Sequence, residues 1–236
     1  MEPKDRNLEW KDIWIKKGLN KNIAPLLADG YDLLTADEYD CMVFQVTRPI
    51  GLIGNENILE CGCGAGAFLA SLLKVYPTLK ISGVDYSPTL LEKARGYLNG
   101  DFFVADMTDL GFLEKDTYDH TLSFGTLLYL SSEEAASQAI SEMMRITRPG
   151  GMVYIGEIPD AAKRGEAESI RKASHQSVKK ISSANPDHLY LPKEFFKNFA
   201  RATSMDLRII DHTEFDLGNY QAARYRYSVY LTIKRK

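Results

Sequence analysis

Six residues between positions 60 and 106 have the types and spacing to grip a small charged ligand. Glu60 precedes Gly62, Gly64 and Gly66 in Ile58-Leu59-Glu60-Cys61-Gly62-Cys63-Gly64-Ala65-Gly66-Ala67-Phe68-Leu69. A short apolar run enters this glycine loop, and a run with helical periodicity leaves it. Glycine tolerates positive φ and lets a ligand come against the backbone. A helix starting at Ala67 presents free N–H groups to whatever sits on the loop. Asp85 ends the next apolar run, and Asp106 ends the one after that, in Val104-Ala105-Asp106-Met107. Carboxylates at such positions accept hydrogen bonds from hydroxyls and amines.

Two chemistries fit this pattern. Gly62-x-Gly64-x-x-Ala67 satisfies the dinucleotide fingerprint G-x-G-x-x-G/A, which points to an NAD(P)- or flavin-dependent oxidoreductase. The same segment reads acid-x-Gly-x-Gly-x-Gly from Glu60 to Gly66. It thereby resembles the first motif of the class I (Rossmann-like) S-adenosylmethionine-dependent methyltransferases. Asp85 can accept both ribose hydroxyls of either cofactor. Asp106 beside Met107 resembles the methyltransferase adenine site. Glu60 suits a cofactor that carries an ammonium and a sulfonium, whereas a pyrophosphate would be repelled by an extra carboxylate. The resemblance extends over residues 52–160 and includes Gly83-Val84-Asp85-Tyr86-Ser87, Ala105-Asp106-Met107, Tyr118-Asp119-His120-Thr121-Leu122-Ser123 and Arg148-Pro149-Gly150-Gly151.

The resemblance implies S-adenosyl-L-methionine as cofactor, with no metal. It places Glu60, Gly62, Gly64 and Gly66 along the methionine part and Asp85 at the ribose. Tyr86 flanks the adenine, Asp106 and Met107 hold its edge, and Ser123 and Phe124 end the fourth strand against cofactor and substrate. It also implies an α/β, three-layer fold, with a seven-stranded, mostly parallel sheet whose last strand is antiparallel. A non-catalytic relative that binds the cofactor without turnover is a further alternative.

The elements that must position these residues alternate along the chain. Strands are predicted at 57–60, 79–84, 101–105, 118–123 and 152–158, with helices at 67–76, 87–98 and 132–146 between them. Strands alternating with helices imply a parallel sheet. Ser87 and Ser132 are predicted N-caps, with Pro88 at the first helical position. Arg148-Pro149-Gly150-Gly151 reads as a turn. Two strand-like runs near the end, 207–210 and 225–233, lie too close for a parallel crossover and are expected to pair antiparallel. The division expected is a single methyltransferase domain over 1–236. It comprises an N-terminal helical cap at 1–50, a cofactor-binding core at 52–160, lid helices at 161–205 and antiparallel strands at 206–236.

Methyl transfer needs a base only where the acceptor must lose a proton early. His188, in Asn185-Pro186-Asp187-His188-Leu189-Tyr190, and Glu157, at the end of the fifth strand, are the base candidates. His212, among acidic residues, is expected at the surface. Trp14, Tyr129, His175 and Arg224 are the candidate acceptor-binding residues. Trp10 and Trp14, four apart on one helical face, would cap the cofactor or pin the helix to the core. Trp10-x-x-x-Trp14-x-x-Lys17-Gly18 and the tail from Arg224-Tyr225-Arg226-Tyr227 to Ile233 also resemble methyltransferases of bacterial surface-polysaccharide gene clusters.

Composition narrows the acceptor. The 236 residues carry a net charge of -3, but residues 1–160 hold -10 (14 Lys and Arg, 24 Asp and Glu) and residues 161–236 hold +7 (15 against 8). The chain lacks the overall basic surplus of a nucleic-acid binder. Ser123-Phe124-Gly125-Thr126 stands after the fourth strand, where amino-methylating nucleic-acid enzymes carry an Asn-Pro-Pro-Tyr-like tetrapeptide, and no Pro-Cys nucleophile occurs. A small-molecule acceptor is therefore expected, with no nucleic-acid partner. Lys163, Arg164, Arg171, Lys172, Lys179 and Lys180 lie beyond the fifth strand, and Arg224 and Arg226 are expected to share a strand face. This surplus points to an anionic acceptor, a phosphorylated metabolite or a nucleotide-linked sugar. Cys41, Cys61 and Cys63 match neither a disulfide nor a zinc pattern. No run approaches the roughly 20 apolar residues of a membrane span. The charged Met1–Arg6 stretch does not open a signal peptide. A cytoplasmic protein is expected.

Overall fold

The computed structural model describes residues 6–177 and 187–235, with side chains described for 9–173 and 187–235. Lys179, Lys180, Asn185 and Pro186 lie outside the described residues, as does the side chain of His175.

The chain opens with three helices, α1 (Arg6–Gly18), α2 (Pro25–Ala28) and α3 (Ala36–Thr47). The alternating part follows: β1 (Asn57–Cys61), α4 (Ala67–Val75), β2 (Lys80–Asp85), α5 (Pro88–Arg95), β3 (Asp101–Val104), β4 (Tyr118–Phe124), α6 (Glu133–Ile146) and β5 (Thr147–Pro159). The last part is α7 (Arg164–Ser177), α8 (Lys193–Thr203), β6 (Asp206–Asp211) and β7 (Arg226–Thr232). Ser87 and Ser132 cap α5 and α6 through Leu90 N and Ala135 N, as their positions before Pro88 and Glu133 predicted.

Seven strands form one sheet in the order β3-β2-β1-β4-β5-β7-β6. β7 runs antiparallel to both β5 and β6, and the other pairings are parallel. The chain builds outward from β1 to β3 and then returns to place β4 beside β1. Strand order therefore reverses between β1 and β4, where a crevice opens at the carboxyl ends.

Strand alternation divides the core into two layers. Leu59, Val153, Ile155, Val229 and Leu231 face α6 and α8 in one cluster. Ile58, Leu122, Tyr154 and Tyr230 face α3 and α4 in the other. Helices cover both sheet faces, which is what the apolar, non-alternating strands β1 and β5 require.

One expected element differs. Residues 148–151 do not leave the sheet as a turn but belong to β5. Gly150 N donates to Ile233 O and Ile233 N donates to Gly151 O, so the tail pairs with this stretch. Gly150 takes φ +88°, and the β4–β5 register shifts between Tyr118 and His120. The Pro-Gly-Gly signal thus bends a strand instead of ending it, because the partner strand satisfies its backbone groups. Among the described residues, no helix is long and apolar enough to cross a membrane.

Leu59 is fully buried at the centre of the sheet. Leu59→Ala is expected to destabilise the fold by about 2–5 kcal/mol, from lost burial and a residual cavity, as read by chemical denaturation.

Candidate functional site

The glycine loop is pinned at its start by hydrogen bonds to β2 and to Thr126. Gly62 N and Cys63 N donate to Val84 O at 2.7 and 3.0 Å, which ties the loop to β2. Thr126 Oγ1 donates to Gly62 O at 3.2 Å from beyond β4. Gly62 takes φ +76°, and a Cβ there would overlap the Thr126 side chain. Only glycine satisfies both constraints. Gly66, at φ +83°, starts α4 without a side-chain cap of its own.

The cap comes from far away in sequence. Asp29, just after α2, accepts from Ala65 N at 2.6 Å and from Ala67 N at 3.0 Å. A Cβ on Gly64 would collide with the same carboxylate. Asp29 occupies the place where a helix N-terminus otherwise receives an anion. Sequence reasoning missed it, since a capping residue is sought next to its helix.

Three carboxylates, Glu60 and Asp85 buried and Asp29 half-buried, now surround the loop. Burial pushes Asp29 up to about 7, against the two backbone N–H groups that favour its charge. Burial pushes Asp85 up to about 6, although it accepts from Ser87 N at 2.8 Å and Gly64 N at 2.9 Å. Glu60 is raised well above its ordinary value, first by burial and then by Asp29 and Asp85. Its Oε2 is buried without a hydrogen-bond partner. A buried acceptor left unmet is costly unless a ligand supplies the donor. Among the described residues, no group of three or more His, Cys, Asp or Glu has the arrangement of a metal site. The loop, its three carboxylates and their unmet oxygen therefore fit an organic cation.

The three line a cleft of about 780 Å³ at the carboxyl ends of the strands. Gly62, Gly64, Tyr86, Asp106, Met107 and Phe124 line it too. Gly66 stays in the loop beneath, as the first residue before α4. Asp106 is half-buried, and burial works to raise its pKa. Hydrogen bonds from Thr108 N, Thr108 Oγ1 and Lys11 Nζ outweigh this and hold it below the usual carboxylate range. Lys11, on α1, reaches Asp106 Oδ2 at 3.0 Å and stands 5.5 Å from the Tyr86 ring centre. Its part in the site had no sequence signal. Ser123 does not line the cleft. Strand alternation turns it to the face opposite Phe124, where it is fully buried.

The outer wall is aromatic. Trp14, Tyr31, Tyr39 and Tyr129 line it. Tyr129 packs against Trp10 at 4.6 Å and Trp14 at 5.2 Å between ring centres. His188 packs behind this wall, 5.4 Å from Trp10 and 5.5 Å from Tyr129. It is not among the residues lining the cleft, so its placement does not support the role of base.

Glu157 is also displaced from the cleft surface. It sits at a register shift of β5 against β7, with φ +63°, and is fully buried. Such a bulge re-aims a side chain. Glu157 pairs with Arg226 and accepts from Tyr220 OH, and Arg226 Nη1 donates to Tyr220 OH at 2.7 Å. An ion-paired carboxylate of this kind is a poor proton acceptor.

His212 is fully buried, contrary to the surface position expected. Its Nε2 meets Ser228 Oγ at 2.8 Å, and its Nδ1 lies 3.1 Å from Glu157 Oε1 without hydrogen-bond alignment. Burial pushes His212 down to about 3, so the ring is neutral and the contact is not an ion pair.

Arg224 and Arg226 do not share a strand face. Arg224 ends a 3-10 turn (Gln221–Arg224) and is exposed, paired with Glu166 at 2.6 Å. Arg226 begins β7, and its guanidinium is buried, with Nε lacking a partner. Its charge reaches the hydroxyls of Tyr31 and Tyr129 in the aromatic wall. Of the two, Arg226 is thus the one near the aromatic wall, although it is not among the residues lining the cleft. A one-turn difference in where the strand starts separates the two.

The raised carboxyls carry a stability signature. In the folded protein Asp29 and Asp85 hold protons up to about pH 7 and 6, whereas the unfolded chain releases them near pH 4. The folded state binds more protons between these values, so ligand-free stability falls as pH rises through that window. The melting temperature of the ligand-free protein is expected to be lower at pH 8 than at pH 5.5. Asp29→Asn should reduce the difference, as read by differential scanning calorimetry.

The chain resembles known proteins in sequence and in shape. Residues 58–151 match the family described as "Methyltransferase domain". A probable tRNA methyltransferase 9B of Mus musculus is 30% identical over 115 residues, covering 48% of this chain and 24% of that protein. The aligned stretch thus spans about a quarter of that relative's length. A trans-aconitate 2-methyltransferase of Methylobacterium nodulans is 24% identical over 181 residues, covering 77% of this chain and 62% of that protein. The structure of the plantazolicin methyltransferase BpumL in complex with SAH superposes with a TM-score of 0.64 at 17% identity, over 98% of each chain. Residues 58–151 thus match a methyltransferase domain, and the chain takes the Rossmann-like fold of the solved methyltransferase structures it superposes on.

Proposed function

We propose that the protein transfers a methyl group from S-adenosylmethionine to a small anionic acceptor. The observation that carries the cofactor reading is the unmet, buried Glu60 Oε2 beside Asp29 and Asp85. Three carboxylates around one loop demand positive charge. A dinucleotide has nothing to gain there. Its pyrophosphate needs the α4 N-terminus, and Asp29 already holds Ala65 N and Ala67 N.

S-adenosylmethionine, when bound, supplies an electrophilic methyl on a sulfonium sulfur. The chain's residues then have three tasks. Glu60 accepts from the ammonium, Asp85 from the ribose hydroxyls, and Asp106 from the adenine amine on the lone pair that Lys11 and Thr108 leave. Tyr31, Tyr129 and Trp14 exclude water and hold the acceptor in line, and alignment of this kind is worth roughly 7–11 kcal/mol. Arg226, with its unpartnered Nε beside Tyr31 and Tyr129, receives the acceptor's anionic group. Neither His188 nor Glu157 stands where a base is needed, which favours an acceptor that reacts without early deprotonation. The basic surplus beyond residue 160 supports an anion at this end, such as a phosphorylated metabolite or a nucleotide-linked sugar.

Calorimetry with S-adenosylmethionine, its demethylated product and NAD tests the cofactor. Binding of the first two is expected, and binding of NAD alone would sink the proposal. Asp85→Asn should weaken S-adenosylmethionine by about tenfold or more (about 1.4 kcal/mol). A cation on raised carboxyls drives their deprotonation, so affinity should increase from pH 6 to pH 8, with proton release detected in buffers of different ionisation enthalpy.

For the acceptor, removing Arg226 alone would strand Glu157, so the variant of choice is Arg226→Gln with Glu157→Gln. It should raise the KM for anionic acceptors by about tenfold or more and leave cofactor affinity unchanged. The turnover screen pairs phosphorylated metabolites and nucleotide sugars with neutral amines and transfer RNA. Preference for neutral amines or for transfer RNA would remove the small-anion reading, and no turnover with any of them would leave a non-catalytic cofactor binder.

A further inference from the structure

Cofactor recognition has a second half that the glycine loop does not provide. S-adenosylmethionine carries an α-carboxylate next to its ammonium. The helix N-terminus that would receive an anion is taken by Asp29, and Glu60, Asp29 and Asp85 repel negative charge from the loop side. The carboxylate must therefore meet a donor on the opposite wall.

That wall holds one. Trp14 lines the cleft, and its Nε1 is buried without a hydrogen-bond partner. Trp14 packs with Ala65 of the glycine loop and Leu90 of α5, so it stands over the loop itself. Lys17, one turn further along α1, places Nζ 5.0 Å from the Trp14 ring centre. Its side chain is only 17% exposed, and its carboxylate contact, Asp32, is 3.9 Å away and half in solvent. Both side chains press on the turn that carries Asp29. A Cβ added to Gly30 would lie 3.0 Å from Trp14 Cη2 and 3.6 Å from Lys17 Nζ. A buried indole N–H in the cleft wall thus has a loosely paired ammonium near its own ring, on the turn of α1 just behind it.

We propose that Trp14 Nε1 and Lys17 Nζ hold the α-carboxylate of S-adenosylmethionine. This assignment rests on the cofactor reading above and moves Trp14 from the acceptor to the cofactor. Two unmet groups that line the cleft become complementary to one amino-acid zwitterion. Glu60 Oε2 lacks a donor, and Trp14 Nε1 lacks an acceptor. The state of Lys17 agrees. Burial pushes its pKa down, against Asp32 and Asp29, and an added carboxylate acts in the same direction as those two. Charge-assisted hydrogen bonds of this type are the stronger ones. The methyl-donor end is then clamped between α1 and the glycine loop. The N-terminal segment becomes part of the cofactor site although it lies outside residues 58–151.

The test compares two ligands that differ only in that group, S-adenosylmethionine and decarboxylated S-adenosylmethionine, by calorimetry on the full chain. The wild type should prefer the carboxylated ligand by about tenfold or more. Lys17→Met and Trp14→Phe keep the apolar bulk, and each should abolish most of this preference. They should do so by weakening S-adenosylmethionine while leaving the decarboxylated ligand within about twofold of wild type. The decarboxylated ligand thus also reports that the variants are folded. Preference retained in either variant overturns that residue's assignment, and equal weakening of both ligands overturns the proposal. A wild type that binds neither ligand brings down the cofactor reading itself, a result separate from both.

Discussion

The site depends on placing three carboxylates around one glycine loop. Glu60, Asp29 and Asp85 come from three different parts of the chain and line the same cleft. Each is destabilised as an anion by its burial, and each raises its neighbours' cost. Backbone N–H groups compensate two of them, Asp29 through Ala65 and Ala67, and Asp85 through Gly64 and Ser87. Glu60 has no such compensation on Oε2. Local strain of this sort gathers at functional positions, where a ligand relieves it.

The same constraint explains why the loop must be glycine. The carboxylates can converge only if the backbone between them takes up almost no room. A side chain at Gly62 meets Thr126 and one at Gly64 meets Asp29, so the loop is packed from both sides before any ligand arrives. Asp29 also joins α2 to α4, which makes the N-terminal helices a wall of the site. At the other end of the cleft the electrostatics reverse. Arg226 is buried with Glu157 and Tyr220 under the aromatic wall, and the bulge at Glu157 bends β5 to bring them together. Carboxyl groups gather at the glycine loop, and a buried guanidinium lies toward the other end. The proposed pairing of a cationic donor with an anionic acceptor rests on this separation of charge.

Much of this was legible in the residue order. The strands β1 to β7, the helices between them and the antiparallel tail follow from periodicity, caps and connection lengths, which are local properties. Glu60, Gly62 and Gly64 belong to one strand-loop-helix unit, and Asp85, Asp106 and Met107 stand at or just after the ends of the next two strands. The misreadings have a common origin. Arg148-Pro149-Gly150-Gly151 has turn composition, yet the tail strand pairs with it and holds it in the sheet. Ser123 and Phe124 are neighbours in sequence and opposites in space, because a strand alternates. Arg224 and Arg226 differ by two residues, and the strand boundary between them decides which is buried. His188 and His212 carry the right chemistry, but one packs behind Trp10 and Tyr129 and the other is sealed beside Ser228.

The amino-acid sequence by itself determined the βαβ alternation, the glycine loop and the acidic residues at the strand ends, and hence the fold. Each of these is specified within one or two adjacent elements. Only the tertiary structure decided that Asp29 caps α4, that Lys11 meets Asp106, that Trp14 and Lys17 stand against the Asp29 turn, and that Arg226 is the buried arginine. The physical reason is separation along the chain. Asp29 acts on atoms 36 and 38 residues away, and Lys11 on one 95 residues away. No local periodicity encodes such partners, because their contact is fixed by how whole helices pack against the sheet.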